Sequence, residues 1–139
     1  MGPGLFCLPL LAISLAFSIS AIVLPYWPCG SLLGTCLPSV YHLIMAALFC
    51  VGCLILGLVL LVDILSFCSS SGACVRGRVC AFVKFTALVV GSGCLVAGNL
   101  FYATFYLKTW SFMLSMSGCL TAVYAILFYV TTLRFIKRK

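Results

Sequence analysis

Apolar residues run almost unbroken along four stretches of this chain, and the charges fall in the gaps between them. The first stretch, Leu5 to Leu24, carries no charge and stops at Pro25. The second runs from Tyr41 to Leu65, with Asp63 near its far end. The third runs from Ala81 to Tyr106, with Lys84 near its start, and the fourth from Trp110 to Leu133. Each reaches the roughly 20 residues that a helix needs to cross a hydrocarbon core. None alternates apolar and polar residues at period two, which argues against barrel strands. Helices satisfy their own backbone groups, as lipid requires. The pattern predicts an all-α, polytopic membrane protein. It forms one domain, residues 1–139, folded as a left-handed bundle of four transmembrane helices at 5–24, 41–65, 81–106 and 110–133.

Composition sharpens this. Hydrophobic residues are 65% of the chain and charged ones 6%. A soluble domain cannot cover that much apolar surface, whereas a bilayer removes the need. The eight basic residues are placed unevenly. Arg76, Arg78 and Lys84 flank the second connection, and Arg134, Lys137, Arg138 and Lys139 follow the fourth span. The first connection, Tyr26 to Val40, has no charge, and the third has Lys108. The positive-inside rule then predicts cytoplasmic termini. Tyr26, Trp27, Tyr41, Tyr106 and Trp110 are expected at the outer interface, where amphipathic rings settle. A plasma membrane fits better than the endoplasmic reticulum, since Lys137 alone is too little for a retrieval signal. The first stretch lacks a basic n-region and is long for a signal peptide, so it is read as a retained span. Gly2 is followed by Pro3, with Phe6 where Ser or Thr would be needed, which speaks against myristoylation.

Lipid tails are as apolar as leucine, so helices join through small residues that admit close approach. Ala46, Cys50, Cys53 and Gly57 form such a stripe in the second span. Ser111, Ser115, Gly118, Ala122 and Ala125 form one in the fourth. The first span offers Ala12, Ala16 and Ser20, and the third Gly91, Cys94 and Gly98. Asn99 is the one amide within a span and is expected to face a neighbouring helix. Asp63 is expected to pair with Lys84, Arg76 or Arg78 near the cytoplasmic end.

Candidate chemistry is sparse. One Asp, no Glu and one His leave little for acid–base catalysis. No catalytic residue, metal or cofactor is expected, and the basic segments suit topology and anionic lipid rather than nucleic acid. The expected partners are the lipid bilayer and other membrane proteins, or the chain itself, by lateral association. Cys29 and Cys36, with six residues between them, lie in the outer loop, where an oxidising compartment favours a disulfide. Cys68, Cys74 and Cys80 lie beside the membrane as palmitoylation candidates. Two sharper readings remain open. Asp63 and Asn99 could serve a small transporter or channel subunit. Cys50 and Cys53 form a C-x-x-C that resembles, though in the second span instead of the last, the motif of four-helix oxidoreductases of the vitamin K epoxide reductase type.

Several motifs in order resemble the claudin and peripheral-myelin-protein superfamily. Leu24-Pro25-Tyr26-Trp27 is similar to the end of the first claudin helix, and Trp27, Cys29 and Cys36 to that family's outer tryptophan and cysteine pair. Gly91, Gly98 and Phe101-Tyr102-Ala103 resemble its third helix, and Trp110-Ser111-Phe112 with Leu114 the opening of its fourth. The outer loop is far shorter than a claudin's. The resemblance implies the four-span scaffold and a structural or accessory role in one membrane, rather than a paracellular pore.

Overall fold

The computed structural model describes residues 4–27, 29–35, 38–68, 78–105 and 110–138. Four helices account for nearly all of them: α1 (Gly4–Val23), α2 (Val40–Cys68), α3 (Arg78–Phe105) and α4 (Trp110–Lys137). The elements follow from the sequence locally. The amide of Leu24 bonds the Ser20 carbonyl, and the chain then leaves α1 at Pro25, whose ring cannot continue a helix comfortably. Ser39 precedes α2, and its carbonyl accepts the first helical bond, from the Leu43 amide, as an N-cap residue does. α2 runs three residues past the expected Leu65, α3 begins three before Ala81, and α4 continues four beyond Leu133. These extra turns lie outside the apolar runs, because helical propensity does not stop where hydropathy does.

Three helical segments are long and apolar enough to cross a membrane: Val40–Ser66, Val79–Thr104 and Met113–Arg134. α1 supplies a shorter apolar stretch, Cys7–Val23. α1 packs chiefly on α4, and α2 on α3; smaller contacts join α1 to α2 and α3 to α4. Among the described residues the backbones of neither diagonal pair approach closely.

The α2–α3 contact has a regular antiparallel register. Asp63 meets Lys84, Leu56 meets the backbone at Gly91, Leu95 meets Gly52, and Phe49 meets Gly98. Going from each pair to the next, both helices advance by seven, four and three residues. The α1–α4 contact behaves alike. Cys7 Sγ donates to the Ala125 carbonyl at 3.3 Å, and seven residues on, Ser14 Oγ donates to the Gly118 carbonyl at 2.6 Å.

Burial shows which faces meet. In α4, Ser115, Gly118, Ala122 and Ala125 of the small-residue stripe are all buried, and the Ser111 side chain lies outside the described residues. In α1 the stripe is different. Ala12, Ala16 and Ser20 are exposed, while Cys7, Leu11, Ser14, Ser18 and Ala21 turn inward. In α2 only Ala46 of the expected four is fully buried; Cys50, Cys53 and Gly57 are half-buried. Met45, Phe49, Gly52, Leu56 and Val59 complete the inner face. Small size alone did not pick the contact face: in α2, Leu56 and Phe49 fill the space opposite Gly91 and Gly98, and in α1, Ser14 and Ser18 rather than Ala12, Ala16 and Ser20 lie opposite Gly118.

Candidate functional site

The interior has three polar or specially packed regions, at the two ends and the middle of the helices. The loop between α1 and α2 builds the first. Trp27 and Gly30 exchange backbone bonds, with the amide of Gly30 donating to the Trp27 carbonyl at 2.9 Å and that of Trp27 donating to the Gly30 carbonyl at 3.3 Å. Gly30 has φ +100°, a left-handed conformation that favours glycine. Thr35 Oγ1 donates back to the Cys29 carbonyl and accepts from the Ser31 amide at 3.1 Å. The loop therefore curls over the helix ends and inserts Trp27 and Leu32, both buried, into the core. Trp27 Nε1 donates to the Ala21 carbonyl at 2.8 Å, and its ring lies 6.4 Å from Phe49. Of the rings expected at the outer interface, Tyr26 and Tyr41 are exposed, whereas Trp27 is buried as a core plug packed on Phe49. Tyr106 and the Trp110 side chain lie outside the described residues.

The middle region is a seam of hydroxyls and one amide. Asn99 Nδ2 donates to the Leu95 carbonyl of its own helix at 3.0 Å and reaches the Ser115 carbonyl on α4 at 3.5 Å. Ser14 and Ser18 of α1 face Gly118. A methyl placed on Gly118 would lie 2.7 Å from Ser18 Oγ and 3.1 Å from the Ser14 carbonyl, so only a bare backbone fits. Gly52 and Gly91 play the same part between α2 and α3: a methyl on Gly52 would meet the Gly91 carbonyl at 3.0 Å, and one on Gly91 would meet Leu56 at 3.0 Å. Gly98 is looser, with Phe49 at 3.4 Å. Gly57 is not a contact glycine, since an added methyl there meets nothing within 4 Å. Gly52 occupies that role in α2, one and a half turns earlier. The sequence signal was available, as Gly52 and Gly91 sit opposite one another in the register, but pairing the helices was needed to see it. Ser115 Oγ and Asn99 Oδ1 are buried and without a hydrogen-bond partner among the described residues, while Ser18 Oγ has the Cys53 thiol beside it.

The third region lies where the basic residues gather. Lys84 and Asp63 form an ion pair between α3 and α2, with side chains 16% and 24% exposed. Nearby, Tyr129 donates its hydroxyl to the Ala81 carbonyl at 3.2 Å and stacks on Phe85, with centroids 6.1 Å apart. These contacts tie α4 to α3. Asp63 therefore faces Lys84 rather than open space. Lys84 and Asn99 are 15 residues apart on α3, about 22 Å along a helix. The structure does not bring Asp63 and Asn99 together.

Cys7, Cys50, Cys53, Cys68, Cys80, Cys94 and Cys119 are free thiols. Cys50 and Cys53 are half-buried, and Cys53 packs against the core. Cys29 is not among the free thiols, while Cys36, its expected partner, lies outside the described residues. Of the lipidation candidates, Cys68 is exposed, Cys80 is half-buried and Cys74 lies outside the described residues. Arg76 and the side chain of Arg78 lie outside them too. Among the described residues no group of three His, Cys, Asp or Glu could hold a metal ion.

Comparison with family models, curated proteins and solved structures finds no match for this chain. What the residues define is a helical protein with at least three membrane-length helices, whose described polar side chains bond either carbonyls of their own helix, as Thr86, Ser92, Thr104, Ser117, Thr121 and Thr131 do, or a neighbouring helix, as Ser14, Asn99, Tyr129 and the Asp63–Lys84 pair do.

Proposed function

We propose that this chain is a four-span integral membrane protein of claudin-like build. It acts without catalysis as a structural or accessory component, through lateral contacts with other membrane proteins or with itself. α1 is the fourth span in this reading; at 20 residues it is about 30 Å long, the thickness of a hydrocarbon core. The termini and the Asp63–Lys84 end are cytoplasmic, by the clustering of basic residues, and the plasma membrane is the favoured location. The bundle is left-handed, which the seven-four-three register supports, since a 3.5-residue repeat imposes that supercoil.

The observation that carries the reading is the division between inside and outside. Asn99, Ser14, Asp63 and Lys84 all bond neighbouring helices. The outward positions are mostly apolar, among them Ile19, Leu54, Leu58, Phe82, Leu100 and Leu127, and the exposed hydroxyls of Thr86, Ser117 and Thr131 are turned back onto carbonyls of their own helices. Such a surface suits lipid and other spans. Cys29 and Cys36 close the outer loop as a disulfide in this proposal. The short turn supports it, because Thr35, next to Cys36 in sequence, already bonds the Cys29 carbonyl.

The test is recovery of the chain from native membranes in mild detergent after cross-linking within the bilayer. The expected result is resistance to carbonate extraction and reproducible adducts with one or a few membrane proteins or with itself. A chain recovered without adducts, whose cellular effect disappears with Cys50→Ala and Cys53→Ala, would sink the proposal and favour a thiol oxidoreductase.

A further inference from the structure

An open groove of about 250 Å³ lies between α3 and α4 at the basic end of the helices, lined by Phe85, Val130, Leu133, Arg134 and Lys137. The four α4 residues fall at positions i, i+3, i+4 and i+7, which places them on one helical face. The lining is apolar throughout, Arg134 and Lys137 contributing their hydrocarbon stems, and these two residues follow Val130 and Leu133 along that face. Phe85 forms the opposite wall and is held in place by its stacking on Tyr129.

Charge decides what such a groove accepts. The chain has eight basic residues and one acidic residue. That acid, Asp63, is already engaged by Lys84. Arg134 and Lys137 consequently have no acidic side chain left to neutralise them, and they are exposed. An acidic group that binds them therefore has to belong to another molecule rather than to a side chain of this one. An apolar trough continuous with two free cations matches one class of molecule, a lipid with an anionic head and a hydrocarbon tail. Basic sites beside helices on the cytoplasmic side are suited to such headgroups.

We propose that this groove is a binding site for one anionic phospholipid. Its phosphate lies between Arg134 and Lys137, and an acyl chain runs along Phe85, Val130 and Leu133. The proposal rests on the membrane reading above, with this end in the leaflet that carries anionic lipid.

The test is native mass spectrometry of the full chain, reconstituted in mixed phosphatidylcholine and phosphatidylserine vesicles and released in mild detergent. The wild type should retain one phosphatidylserine in clear preference to phosphatidylcholine. A cation near the surface is worth about fivefold in binding, so Arg134→Gln with Lys137→Gln should weaken retention by roughly twenty- to thirtyfold. Val130→Trp, which fills the floor and leaves both cations, should also lose the lipid. Arg138→Gln, outside the groove, should change little. Equal loss with Arg138→Gln would overturn the site in favour of diffuse charge. Release of the bound species by added inorganic phosphate would overturn the choice of a lipid. No phosphatidylserine preference in the wild type would overturn the proposal altogether. Carbonate extraction separates the two failures: a chain that stays in the membrane without lipid preference defeats this site alone, and a chain that washes off defeats the membrane reading.

Discussion

The Trp27 indole meets the Tyr102 ring edge-on, with centroids 4.8 Å apart and planes at 88°. Edge-to-face rings at this distance attract through their quadrupoles, beyond the area they bury. The contact joins the α1–α2 loop to α3, two parts of the chain 75 residues apart in sequence. It packs the loop against the helices rather than leaving it a free segment.

Trp27→Ala should therefore destabilise the whole fold. Removing a buried tryptophan costs about 3 to 5 kcal/mol, and here the indole bond to the Ala21 carbonyl goes with it. Trp27→Phe should cost less, since a ring still reaches Tyr102. Denaturant titration in detergent, followed by circular dichroism, measures both. Equal stability of the alanine variant and the wild type would refute the plug.

Glycine substitutions should separate by location. Gly118→Val and Gly91→Val should disrupt helix packing, because even a methyl at either position meets atoms at 3.0 Å or less. Gly57→Ala should be neutral or stabilising by about 0.5 to 1 kcal/mol, the difference in helix propensity. Thermal aggregation of the purified variants ranks them. A ranking with Gly57→Ala the most harmful would contradict the helix register.

The ion pair predicts a non-additive pair of variants. Asp63→Asn or Lys84→Met alone should cost about 1 to 3 kcal/mol, between the values for surface and fully buried pairs. Each leaves one partner without its counterion in a half-buried place. Asp63→Leu combined with Lys84→Leu should lose less than the sum of the single changes. A double-mutant cycle by denaturant titration gives the coupling, and a value of zero would mean the two side chains do not meet.

Cys50→Ala with Cys53→Ala should lose only about 1 kcal/mol or so, the cost of small cavities at half-buried sites. The cellular effect should persist. Its abolition in a folded double variant would identify the pair as redox-active.

Alkylation from outside intact cells should modify Cys29 and Cys36 only after reduction, and intact-mass analysis should show them joined. Cys74 should react only after permeabilisation. Labelling of Cys74 in sealed cells would reverse the proposed orientation.

The helices could be read directly from the chain, because in an apolar run each backbone group finds its partner four residues away. The α4 stripe from Ser115 to Ala125 was equally legible, since all its small residues share one face. The seven basic positions near two segments define a charge asymmetry that needs no structure to see. What composition could not decide is which surfaces meet. Ala12, Ala16 and Ser20 look as suitable as Ser14 and Ser18, yet the latter face α4, since Gly118 offers its bare backbone at that level. Gly57 looks as suitable as Gly52, yet only Gly52 lies opposite Gly91 and Leu95. Trp27 looks like an interfacial ring, yet it fills the gap beside Phe49 and Tyr102. A helix is settled by neighbours in sequence, whereas a packing face is settled by complementary shape on another helix, and that information is distributed over residues far apart in the chain.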